Sequence, residues 1–177
     1  MIFIPRPIIA AATFPGVIVH EVVHQLVCRI TCTPVLNVCY FQVAAPAGYV
    51  IHDEPSDGWK QLLISLAPFV VNSTLAVLIC LPVAMAETAK AETGALDIFL
   101  GWVGMSVGMN AFPNFADAAS LWEAVKKKDA SWLMKITATP VVGWSYAVAA
   151  LSLFWFDALY AGLLCFGLPL LVLEAIV

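Results

Sequence analysis

Five apolar runs separated by short polar stretches set the pattern of the chain: about Ile8 to Ile30, Gln61 to Met85, Asp97 to Phe112, Met134 to Phe156, and Ala158 to Val177. Read as helices rising 1.5 Å per residue, the first, second, fourth and fifth have enough residues to cross a hydrocarbon core of about 30 Å. The stretch after the first run changes character. Val35 to Val43 is β-branched and aromatic, Ala45-Pro46-Ala47-Gly48 is turn-like, and Tyr49 to His52 is again strand-like, which predicts a hairpin. The expected fold is therefore an all-α polytopic membrane protein with about five transmembrane helices and a small β-hairpin between the first and second. It reads as one domain over residues 1–177, with a three-helix core at about 8–118 and C-terminal helices at about 119–177.

Composition moves the chain firmly out of water. Hydrophobic residues make up 62% of it and the mean hydropathy is +0.94, which points to an integral membrane protein. With 8 Lys+Arg against 12 Asp+Glu and no basic face, nucleic acid is not an expected partner. The five cysteines form no C-x-x-C pair and most lie in or beside apolar runs, so no disulfide framework is expected. The opening residues resemble a signal peptide, but the apolar run continues without a small-residue cleavage site, so it reads as retained. Lys126-Lys127-Lys128 in the amphipathic piece after the third run marks the cytoplasmic side by the positive-inside rule. Alternation then places the hairpin and the C-terminus inside, and the N-terminus and the Ala86 to Leu96 loop outside.

The most informative chemistry lies in the first run, where His20-Glu21-Val22-Val23-His24 forms H-E-x-x-H. Histidines four apart share one helix face and can grip one Zn²⁺, with Glu21 beside them as a general base. Two imidazoles and a carboxylate in an apolar helix are costly unless something pairs or coordinates them, and one metal ion would do so. Hydrogen bonding across a helix bundle is the alternative use of the same residues. Pro15-Gly16, just before the motif, predicts a kink or a close helix approach. Gly101, Gly104 and Gly108 in the third run predict a smooth packing face.

The second informative stretch runs from Gly108 to Ala118 and holds Asn110, Pro113 and Asp117. A helix-ending proline followed by an aspartate near the membrane suits irregular backbone lining a polar cavity. Asp117 precedes a helical pattern and so also reads as a helix cap. Beside an H-E-x-x-H still lacking a ligand, it is read as the third zinc ligand, at the same depth as His24 on the cytoplasmic side. His52, Asp53, Glu54 and Cys28 are the reserve donors.

His20-Glu21-Val22-Val23-His24 together with Asn110-Ala111-Phe112-Pro113…Asp117 resembles the site-2 protease family of intramembrane zinc metalloproteases, over about two thirds of the chain. The spacing from Pro113 to Asp117 and Ala118 in place of the usual glycine depart from that family and look closer to a short zincin-like membrane branch. The resemblance implies that His20, His24 and Asp117 hold Zn²⁺, that Glu21 activates water, and that Asn110 helps position the substrate backbone. The expected function is a zinc endopeptidase acting in or beside transmembrane segments of membrane protein or peptide substrates. In a prokaryote it would be a multi-pass protein of the cell membrane. A non-catalytic zinc-binding membrane protein would use the same ligands without needing Glu21. A metal transporter would want more polar residues in the second, fourth and fifth runs than they carry.

Overall fold

The computed structural model describes residues 5–176, which are mostly helical with one small sheet. In chain order the elements are α1 (Arg6–Ala12), α2 (Phe14–Ile30), β1 (Val35–Cys39), β2 (Tyr49–His52), α3 (Gly58–Thr88), α4 (Ala95–Met109), α5 (Phe115–Lys126), α6 (Trp132–Leu151), α7 (Phe156–Gly162) and α8 (Leu168–Ile176). A 3₁₀ turn at Ser152–Phe154 joins α6 to α7, and a π turn at Leu163–Gly167 joins α7 to α8. The strands pair antiparallel, with Cys39 opposite Tyr49 and Val38 opposite Val50, so the hairpin forms as expected.

Three helical segments are long and apolar enough to cross a membrane: Gly58–Thr88, Trp132–Phe154 and Phe156–Ala175. The first apolar run is not one straight helix. Its two parts, α1 and α2, meet at 87°. The bend falls at Thr13 rather than at Pro15-Gly16, because Pro15 occupies the first turn of α2, where no backbone donor is needed. α4 has only 15 residues, about 22 Å, which falls short of the hydrocarbon thickness. The five spans expected from hydropathy thus reduce to three sufficient helices, or four if the bent pair counts as one.

The direction of the last helices also differs from simple alternation. Gly58 packs on Met134 and Phe69 on Trp144, so α3 and α6 run in the same sense. Ser73 bonds Tyr160 and Cys165 reaches Ala76, so the α7–α8 segment runs with α3 as well. Two consecutive segments that both follow α3 cannot form the antiparallel pair expected of a fourth and a fifth span. α8 therefore ends where α3 ends, opposite the Lys126-Lys127-Lys128 end, and this corrects the expected placement of the C-terminal segment. The turn between them uses Trp155 in the left-handed region at φ 63°.

Burial is reversed relative to a water-soluble bundle. On α3, Leu63, Val70 and Leu78 are 58%, 60% and 57% exposed, whereas Gln61, Ser65 and Asn72 are buried. Apolar side chains facing out and hydrogen-bonding groups facing in is the arrangement that a hydrocarbon solvent selects. Close packing inside depends on the predicted glycine face. Gly108 lies against Ala161, where an added Cβ would fall 3.0 Å from its methyl, and a Cβ at Gly104 would collide with Cys80 Sγ. These contacts hold α4 between α3 and the C-terminal segment, and with it the irregular Asn110–Asn114 turn that leads into α5.

Candidate metal centre

His20 and His24 project from one face of α2, both buried, and their Nε2 atoms lie 3.0 Å apart. Asp117 faces them from the first turn of α5. Its Oδ2 is 3.5 Å from His20 Nε2 and its Oδ1 is 3.2 Å from His24 Nε2. Among the described residues, these three form the group of His, Cys, Asp and Glu able to hold one ion, with all donor atoms within 4.8 Å of one another. A tetrahedral ion with bonds of about 2.0–2.1 Å sets its donors about 3.3–3.4 Å apart. The observed edges bracket that value, and two imidazole nitrogens with one carboxylate suit such an ion chemically.

Two of the three donors, His20 and Asp117, are oriented from behind. His20 Nδ1 lies 2.8 Å from the main-chain carbonyl of Asn110, which leaves Nε2 for the shared centre. Asp117 lies in the cluster, but it is the third residue of α5 and not the cap that its sequence context allowed. Asn114 caps α5, its Oδ1 accepting from the Ala116 and Asp117 backbone N–H groups, and Asp117 Oδ2 accepts from Asn114 N at 2.8 Å. This capping box starts α5 at Phe115, three residues before the expected start, and it locks the carboxylate side chain while its oxygens still face the histidines. Burial pushes the Asp117 carboxyl up, but the charges and hydrogen bonds of His24 and His20 outweigh this and hold it well below the usual carboxylate range.

Glu21 is buried on the adjacent face of α2, and the hairpin covers it, with Gly48 directly against its side chain. The hairpin is anchored close by, where Tyr40 Oη donates to Gln25 Oε1 at 2.6 Å. Asn110 takes a position different from the one expected of a substrate contact. Its Nδ2 points to α2 and α4, donating to Ser106 O at 2.9 Å and Thr13 Oγ1 at 3.2 Å, and the part of Asn110 that reaches the centre is its carbonyl. The reserve donors stand apart from the cluster. His52 Nδ1 turns to the Asp53 carbonyl, Glu54 pairs with Lys127 at 2.8 Å, and Cys28 lies buried one turn below His24.

Sequence reasoning passed over three contributors. Asn72 donates from α3 to the Asn110 carbonyl, Ser106 Oγ receives Gly16 N–H and donates to Thr13 O, and Gly48 seats Glu21. Only Asn72 carried a signal, as an amide in the middle of an uncharged apolar run. Comparison with known proteins finds no matching family model, no similar curated protein and no similar solved structure.

Proposed function

We propose that this chain is an integral membrane zinc endopeptidase, built like the site-2 proteases, that hydrolyses peptide bonds in or beside transmembrane segments of other membrane proteins. The observation that carries the reading is the triangle of His20, His24 and Asp117, with edges of 3.0 to 3.5 Å, beside a buried glutamate in a body whose outer surface is apolar. His20 Nε2, His24 Nε2 and the Asp117 carboxylate would hold Zn²⁺. When bound, the ion supplies Lewis acidity toward a carbonyl oxygen and makes water a better nucleophile.

The rest of the chemistry falls to the chain's own groups. Glu21 accepts a proton from the attacking water and returns it to the leaving amine. It sits between the histidines and the hairpin, so the scissile bond lies along the hairpin side of α2. A transmembrane peptide must leave its helix to be cut, and the hairpin offers extended backbone against which an unwound segment can lie. The lysine-bearing end of α5 would face the cytoplasm, with the centre toward the same end of α3.

The deciding experiment uses the full chain purified in detergent or nanodiscs. It should carry about one zinc per chain and cleave a quenched fluorescent transmembrane peptide. Both properties should disappear in His20→Ala and His24→Ala. Zinc content that is indifferent to both substitutions would refute the reading.

A further inference from the structure

Asn72 is fully buried on α3, on the side facing α2 and α4. Its Nδ2 donates to the Asn110 carbonyl at 2.9 Å, and the same carbonyl takes His20 Nδ1 at 2.8 Å. A carbonyl oxygen has two lone pairs and can accept both. Asn110 follows the last residue of α4, so its carbonyl has no partner within its own helix, and nothing in α4 fixes where it points. Two donors from two other helices fix it instead. The far end of the Asn72 amide is unmatched: Oδ1 is buried and, among the described residues, has no hydrogen-bond partner. The Asn72 amide is thus engaged through the donor that meets Asn110.

We infer that Asn72 is a positioning residue of the metal centre. By clamping the Asn110 carbonyl it holds His20 with Nδ1–H toward α4 and Nε2 toward His24 and Asp117. The inference rests on the metal-centre reading and extends it to a third helix, because α3 supplies none of the ligands. Partners behind a metal-bound histidine set ring orientation and tautomer, and their loss typically weakens metal binding roughly 10–100-fold.

The test compares zinc affinity, by chelator competition, and the visible spectrum of the Co²⁺-substituted protein in wild type, Asn72→Leu and Asn72→His. Leucine removes the donor while keeping the branched shape of the side chain. Histidine can place a ring N–H where the asparagine Nδ2 was. Asn72→Leu should lose affinity about 10–100-fold and shift the cobalt spectrum, with the thermal midpoint of the metal-free protein close to that of Asn72→His. Asn72→His should bind close to wild type. If Asn72→Leu does not fold, Asn72→Ala takes its place in the same comparison. Wild-type affinity and spectrum in the donor-less variant would overturn the inference alone, as would equal losses in the leucine and histidine variants. Failure of the wild-type protein to bind zinc through His20 would instead overturn the centre itself.

Discussion

Gly48 and Glu21 touch: a Cβ added at Gly48 would fall 2.7 Å from Glu21 Cγ and 3.1 Å from its Oε1. The hairpin therefore fixes the position of the proposed general base without contributing a metal donor. Gly48→Ala should displace the carboxylate and lower peptide cleavage by about 100-fold, the scale associated with ångström-level misplacement of a catalytic group. Zinc content should stay near one per chain. Unchanged turnover in a folded Gly48→Ala protein would show that the hairpin does not position Glu21.

Glu21→Gln separates base from ligand. The amide keeps the size of the side chain but cannot accept the proton, so cleavage should fall by about 10²–10⁴-fold while zinc stays bound. Loss of metal with the fold intact would mean that Glu21 is itself a donor. Cleavage at the wild-type rate would favour a different base.

Asp117 stands in the capping box of α5 and in the proposed ligand set, and substitutions should separate the two. Asp117→Ala removes both the third donor and the acceptor for Asn114 N, so it should lose metal and also destabilise α5 by about 1 kcal/mol. Asp117→Asn keeps an oxygen for the capping box but is a poor zinc ligand. It should therefore lose metal with little change in the thermal midpoint of the metal-free protein. Full zinc occupancy in Asp117→Asn would remove Asp117 from the ligand set.

Gly16 is a point of close approach between α2 and α4. Its N–H donates to Ser106 Oγ at 2.8 Å, and an added Cβ would collide with the Ser106 main-chain carbonyl and come within 2.7 Å of Asn110 Nδ2. Gly16→Ala should cost about 1–3 kcal/mol through overpacking, measured by denaturant unfolding in detergent. Because the same shift pulls His20 away from the Asn110 carbonyl, zinc affinity should fall with it.

Helix direction gives a topology test. In a background lacking the accessible Cys32 and Cys39, single cysteines at positions 127, 90 and 174 can be labelled from either side of the membrane. Position 127 should label from the cytoplasm, and positions 90 and 174 from the opposite side, because α8 runs with α3. Cytoplasmic labelling of position 174 would restore the alternating arrangement of five spans.

What the sequence by itself determined is local. Apolar runs, the four-residue spacing of His20 and His24 and the turn-rich hairpin all depend on neighbours within a turn or two. The glycine face of α4 was legible for the same reason. Only tertiary structure decided how these pieces meet. That Asp117 serves capping box and cluster together depends on where α5 lands against α2. That α6 and the α7–α8 segment run the same way depends on which residues of α3 they pack against. The bend at Thr13 is held by Ser106 and Asn110 from a helix far away in sequence. The contribution of Asn72 needs α2, α3 and the end of α4 to converge on one carbonyl. Hydropathy measures the preference of each segment for lipid over water, and that preference is the same whichever way a helix runs and whichever helix it touches. Direction and partner are chosen by close packing and by buried hydrogen bonds, which exist only once the helices are together.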